Sequence, residues 1–197
     1  MIKPGSLEYI FQQNQYNITD IARESVTWYK RQTLEFSKTG INPKKIIAEG
    51  GVTSTLLPGN LYMFFYDPKY KETMPYYDRF PLVLPYEKTQ DGFIGLNMHY
   101  LPYRLRVRLL DRLLQFRNNT RMDETTRLKY SWSLIGGVSK FKPAEACIKR
   151  YLFSHCRSGF KRIMPQDWAT AMMLPVESFV GAGKNSIWQD SKRLINS

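Results

Sequence analysis

A chain of 197 residues with 29 Lys+Arg against 17 Asp+Glu, a formal net charge of +12, suits one domain in a polyanionic setting: nucleic acid, an anionic surface or acidic neighbours in an assembly. Hydrophobic residues make up 43% and aromatics 14%, which argues against a disordered chain. No apolar run approaches the roughly 18 residues of a membrane span, and MIKPGSLEYIFQQNQ lacks the apolar core of a signal peptide, so the expectation is no membrane span and a cytoplasmic setting.

Residues 1–17 are polar and amide-rich and read as an extended N-terminal arm, with Tyr9, Ile10 and Phe11 as its anchors on a neighbour. Thr19 and Asp20 are good N-caps. Ile21, Ala22, Val26, Tyr29, Thr33 and Phe36 follow at helical spacing and predict an amphipathic helix over 20–37, ended by Gly40 and Pro43. Residues 40–60, rich in Gly and Pro, read as a linker. The division is therefore 1–60 for arm, helix and linker, and 61–197 for one α+β domain.

The tyrosine-rich block 61–101 consists of short apolar bursts cut by Pro, Asp or Gly, which predicts strands joined by turns. Residues 61–66 read as a strand buried on both faces, and 82–86 and 93–98 as two more. Thr89-Gln90-Asp91-Gly92 reads as the hairpin turn, with Gly92 free to take positive φ. The expected fold is a small antiparallel sheet of about three strands covered by several amphipathic helices.

Pro102 suits the first position of a helix. Leu105, Leu109, Leu110, Leu113, Leu114 and Phe116 form its apolar stripe, while Arg104, Arg108 and Arg112 rise one turn at a time on another side, with Arg106 and Arg117 nearby. A short helix is expected near 123–134, then a break at Gly136-Gly137. Pro143 opens a further predicted helix with Cys147, Ile148, Tyr151, Leu152 and His155 on one face, Lys149, Arg150 and Arg157 off it, and Gly159 closing it. On one helix the two cysteines, Cys147 and Cys156, stand roughly 13 Å apart, too far for a disulfide. Residues 165–173 form a short helix, and Asn185 or Ser186 caps a last one with Ile187, Trp188, Ser191, Leu194 and Ile195.

Candidate chemistry is thin. Gly181-Ala182-Gly183-Lys184-Asn185-Ser186 is like the end of a phosphate-binding loop, but Ser178 stands where the first Gly belongs and Asn185 separates the Lys from the Ser. Cys147, His155 and Cys156 are short of a zinc ligand set; the cysteines read as core fillers and His155 as a satisfied core or interface histidine. The acids Asp67, Glu72, Asp78, Glu87 and Asp91 do not have the spacing of a magnesium nuclease site. No catalytic residue, cofactor or metal is assigned. The arginine stripe is the strongest charge feature, able to track phosphates or meet acidic protein. Lys142, Lys149, Arg150, Arg157, Lys161 and Arg162 add a second basic region, and Tyr76, Tyr77, Tyr86 and Tyr103 are candidate stacking surfaces for bases. The predicted partner-binding face comprises Arg104, Arg108, Arg112, Lys149, Arg150 and Arg157; the alternative is a solvated basic surface and a tyrosine-rich core.

Leu61-Tyr-Met-Phe-Phe-Tyr-Asp-Pro-Lys69, Met74-Pro-Tyr-Tyr-Asp-Arg-Phe-Pro-Leu82, Gly92-Phe-Ile-Gly-Leu-Asn-Met-His-Tyr-Leu101 and Pro165-Gln-Asp-Trp-Ala-Thr-Ala-Met-Met-Leu-Pro-Val-Glu-Ser-Phe179 resemble a small protein family of T-even-like contractile-tailed bacteriophages. The resemblance implies a phage virion setting, assembled in the host cytoplasm, and carries no catalytic residues. It leaves two roles. The first is a non-enzymatic virion structural protein of tail, baseplate or neck that joins other virion proteins through its arm and basic helix faces. The alternative is a DNA-binding protein that protects or coats DNA ends. A nucleic-acid enzyme ranks below both.

Overall fold

A computed structural model describes residues 6–13, 26–117 and 142–196, and of 26–30, 111–117 and 142–143 the backbone alone. The predicted turns of helix at 20–25, the helix near 123–134 and the break at Gly136-Gly137 lie outside the described residues.

The α+β class holds, but among the described residues the sheet has six strands where about three are expected. Its strands are β1 (Val52–Thr53), β2 (Leu61–Met63), β4 (Leu82–Lys88), β5 (Gly92–Asn97), β6 (Ile148–Leu152) and β7 (Phe160–Ile163), in the order β1-β7-β2-β4-β5-β6, with every pair antiparallel. The expected trio, β2, β4 and β5, is its centre. A separate two-stranded ladder joins β3 (Tyr77–Asp78) to β8 (Phe179–Val180).

The strands the sequence reading missed have a common cause. Ile148, Tyr151 and Leu152 fit a helical face and a strand equally well, and so short a run does not decide between them. In the structure a short helix at Lys142–Glu145 stops, and the chain turns into β6, which lies along β5 from Leu96↔Ile148 to Gly92↔Leu152. Tertiary pairing decides the outcome. Likewise Phe160 and Ile163 face opposite sides of β7 and are both buried, so no polar alternation marks that strand.

The sheet is buried on both faces, as the lack of polar alternation in 61–66 predicts. Leu61, Met63, Leu82, Leu84, Leu96 and Ile163 join the main core under the helices. Tyr62, Phe64, Tyr66, Val83, Phe93, Tyr151 and Phe160 make a second cluster on the other face. Its rings meet edge to face, Phe64 lying 5.0 Å from Phe160 and 5.5 Å from Tyr151, while Phe93 stacks on Tyr151 at 5.1 Å.

The described α-helices are α1 (Leu7–Gln13), α2 (Val26–Lys38), α3 (Pro43–Ala48), α4 (Tyr103–Arg117), α5 (Lys142–Glu145), α6 (Trp168–Met173) and α7 (Lys184–Asn196). Part of the expected extended arm is thus helical. Leu7, Ile10 and Phe11 of α1 are buried in the main core, and the Leu7 amide donates to both carboxylate oxygens of Glu49 at 3.1 Å. Asn42 caps α3 by accepting from the Lys45 amide, with Pro43 at the first position. The α6 helix is buried at every position and forms the floor on which α1, α2 and α4 rest.

Candidate nucleic-acid interface

Arg104 and Arg108 stand on the outer side of α4, both exposed, and neither has an ion-pair partner among the described residues. Arg112 continues the same helix, though its side chain lies outside the described residues. Arg106, two residues from Arg104, is rotated about 200° round the helix and points inward.

Arg106 is fully buried. Its Nη2 donates to Glu177 Oε1 at 2.6 Å and to the His99 carbonyl at 3.2 Å, its Nε to the Leu101 carbonyl at 2.7 Å and its Nη1 to the Met172 carbonyl at 3.1 Å. The guanidinium also lies 4.5 Å from the Tyr103 ring centre. Burial alone would push the Glu177 carboxyl up, but Arg106, His99 and Lys184 outweigh it and hold it at about 2. Lys184 is the second cation on this acid, 4.0 Å from Glu177 Oε2 and above the Trp188 ring. The lysine of the loop-like Gly181–Ser186 stretch is therefore engaged with protein groups at the start of α7.

Beside this pair lies a second buried polar cluster. Asp78 Oδ2 takes His99 Nδ1 at 2.7 Å and Asn97 Nδ2 at 3.2 Å, and its Oδ1 takes the amides of Phe80 and Ser178 at 3.0 and 3.2 Å. An Asp–His contact suggests a catalytic pair, yet both side chains are sealed from solvent, at 1% and 0% exposure. What it does is tie β3, the end of β5 and the segment entering β8 together.

The three other predicted basic residues fare differently. Lys149 is half-buried; its ammonium donates to the Ala146 carbonyl at 3.0 Å and sits 4.3 Å from the Tyr100 ring centre, and desolvation pulls its pKa down. Arg150 is exposed, and its Nη2 donates to both oxygens of Asp91 at 2.8 and 3.1 Å. Arg157 is exposed and reaches Asp67 Oδ2 at 3.4 Å. Of the expected arm anchors, Ile10 and Phe11 sit inside the chain's own core and Tyr9 is exposed.

Arg157 opens onto a cleft of about 510 Å³ lined by Phe65, Tyr66, Asp67, Lys71, Tyr77, Arg79 and Arg157. Lys71 donates to Asp67 Oδ1 at 3.0 Å, so Asp67 is held between two cations. The Lys71 hydrogen bond first, then Arg157, keeps the Asp67 carboxyl below the usual carboxylate range. The sequence reading singled out neither Lys71 nor Arg79 for binding. They lie on an irregular loop and beside a two-residue strand, where no periodicity marks a face. Arg106 did carry a signal: it precedes Leu109 and Leu110 by three and four residues, which places it on the apolar stripe.

Among the described residues no three His, Cys, Asp or Glu side chains gather as a metal site, and both cysteines are free. The candidate stacking tyrosines separate. Tyr103 packs on Trp188 at 5.3 Å and Tyr76 leans on Tyr100 at 6.1 Å, while Tyr77 faces the cleft. No described helix is long and apolar enough to cross a membrane.

The family profile described as Phage T4 terminal DNA protecting protein matches residues 15–193. The chain belongs to that family. The phage resemblance carried by the four quoted stretches is thereby established, and of its two alternatives the DNA-end-protector type is the one matched. Tail and baseplate have no support in the match. No curated protein and no solved structure matches the chain. In this terminal DNA protecting family member, the quoted stretches supply Asp78, Asn97 and His99 of the buried cluster and the Glu177 side of its pair with Arg106, so several of the recognisable residues hold the fold.

Proposed function

We propose that this protein binds the ends of phage duplex DNA and shields them from exonucleases without cleaving or joining any bond. The observation that carries the reading is the family match across residues 15–193. The charge supports it: +12 on 197 residues favours a polyanion, and Arg104 and Arg108, one helical turn apart, are cations with no ion-pair partner among the described residues. Shielding needs affinity and a body large enough to block an exonuclease, which a domain with a doubly buried sheet provides. In the same proposal the protein accompanies the DNA in the virion and meets other virion proteins there.

The test is protection of linear duplex DNA against a processive exonuclease, with the full chain titrated from below to above the concentration of ends. Protection is expected to saturate with ends rather than with total length of DNA, and to weaken between 50 and 200 mM salt, the range over which several phosphate contacts are strongly attenuated. Digestion at the same rate with and without the protein at low salt overturns the proposal. Cleavage of circular DNA by the protein with magnesium overturns its non-enzymatic part.

A further inference from the structure

Among the described residues, the cleft beside Asp67 brings positive charge next to accessible rings. Three cations line it, Lys71, Arg79 and Arg157, against one carboxylate, Asp67. Asp67 holds two of them from opposite sides, Lys71 at 3.0 Å and Arg157 at 3.4 Å. Arg79 is exposed and its guanidinium has no partner among the described residues; only its backbone is engaged, the amide donating to the Ser178 carbonyl and the carbonyl accepting from the Tyr66 amide, both at 2.9 Å. The walls are aromatic: Phe65 and Tyr77 are half-buried and face the space.

The frame under these side chains is rigid. The Asp67 amide donates to the His155 carbonyl at 3.0 Å, the Arg157 amide to the Phe65 carbonyl at 2.7 Å, and Tyr66 bridges Cys156. His155 Nδ1 lies 2.7 Å from the Asp67 carbonyl, so the ring donates there. The two walls that carry Asp67 and Arg157 are therefore fixed to each other, while the cationic tips remain in water. Fixed walls with solvated cations are what an anion site needs, because the ligand meets charge already in place.

We infer that this cleft seats the terminal nucleotide of a DNA strand, with its phosphate between Arg79 and Arg157 and its base or sugar against Tyr77 and Phe65. The inference rests on the end-binding reading above and names the site that would make an end different from the rest of the duplex. Its volume of about 510 Å³ falls in the range of small-ligand sites, roughly 300–1,000 Å³. That is the scale of one nucleotide unit rather than of a stacked base pair. Only a terminal nucleotide, stacked on one side alone, can be turned into such a space at low cost. Arg79 supplies the free fork for phosphate oxygens, Arg157 can leave its long contact with Asp67 to meet the same group, and Lys71 stays on Asp67.

The experiment is fluorescence anisotropy with the full chain and three duplex probes of one sequence. One is closed by hairpins at both ends, one has a single open end with a 5′-phosphate, and one has the same open end with a 5′-hydroxyl. The wild-type chain is expected to prefer the open ends. Arg79→Ala, and more so Arg79→Ala with Arg157→Ala, is expected to cost about tenfold or more on the open probes and to leave the closed probe unchanged. A larger loss on the phosphorylated end assigns the seat to the terminal phosphate; equal losses on both open ends assign it to the backbone phosphate of the last nucleotide; both support the site. Arg193→Ala, in an exposed pair with Asp190, serves as the charge-matched control for the single variant. Because Arg79 contributes only its backbone to the fold, an unchanged melting curve is expected. Double-variant binding equal to wild type on the open probes, or equal losses on open and closed probes, overturns the cleft while leaving end binding intact. A wild-type chain with no preference for open ends removes both.

Discussion

Asp78 Oδ2 lies 2.7 Å from His99 Nδ1 in the buried interior, and the same carboxylate collects three further donors, from Asn97, Phe80 and Ser178. Every one of the four partners donates, and Asp78 only accepts. Asp78→Asn turns one of its two oxygens into an NH₂ that faces a donor pair. The expected cost is about 2–3 kcal/mol, the scale of buried donors left without an acceptor. Urea unfolding monitored by tryptophan fluorescence measures it. A variant within 0.5 kcal/mol of wild type, the ordinary range for a surface substitution, shows that the cluster is not what fixes β3 to β5.

The Arg106–Glu177 pair is the other buried tie, and its removal is asymmetric. Glu177→Ala leaves a guanidinium in the core with three carbonyl partners and no counter-charge, which is expected to cost about 3–5 kcal/mol. Replacing both, Arg106→Met with Glu177→Leu, is expected to recover most of that, since no buried charge remains. A double variant as unstable as the single one indicates that the hydrogen bonds from Arg106 to Leu101, Met172 and His99 matter more than the ion pair.

The same acid gives the fold a pH dependence with a definite sign. The Glu177 carboxyl titrates at about 2 in the fold against an ordinary 4.5, so between these values the unfolded chain binds more protons than the folded one. The stability contributed by the pair is complete above about pH 4.5 and lost as pH falls toward 2. The difference is worth about 3 kcal/mol. Urea midpoints between pH 5 and 2 are expected to fall more steeply for wild type than for Glu177→Gln. Parallel slopes contradict the assignment.

How much of this was legible follows from the period of each element. The helices carry their apolar positions over ten residues or more where the reading succeeded, as in α4 and α7, and the central hairpin has a turn that the sequence spells out. The outer strands do not. Ile148, Tyr151 and Leu152 serve two periods at once, and β1 and β7 span too few residues to show one. The outward arginines were readable from their one-turn spacing, but whether a cation is solvated or engaged depends on long-range partners. Asp91 is 59 residues from Arg150, Asp67 is 90 from Arg157 and Glu177 is 71 from Arg106. Gly92 does not use the positive φ open to it at the hairpin: it is a strand residue under a neighbouring backbone.

Among the described side chains of α4, Arg104 and Arg108 are the cations left to solvent, so their effect belongs to binding and not to the fold. Arg104→Ala with Arg108→Ala is expected to leave stability within about 0.5 kcal/mol. Each lost phosphate contact is expected to lower the slope of log affinity against log salt by about 1, and affinity to fall alike on all duplex sequences. Anisotropy titrations across salt measure the slope. An unchanged slope places the DNA elsewhere on the surface.

The Gly92 position offers the strictest test of the sheet. A Cβ there would stand 1.8 Å from the Tyr151 carbonyl oxygen and 3.0 Å from the Leu152 Cα. Both are backbone atoms of β6, so no side-chain rotation relieves the clash. β5 is held on its other side by β4, and Phe93 next door stacks on Tyr151. Gly92→Ala must therefore push β6 away at its end, breaking the Gly92↔Leu152 pairing and loosening that stack. The expected loss is at least about 2 kcal/mol, with faster hydrogen exchange confined to β6 amides. Gly183→Ala, where a Cβ meets nothing within 4 Å, is the contrasting change and is expected to be neutral. Equal stability of the two variants rules out β6 lying against β5 in this register, and with it the placement of Lys149 and Arg150.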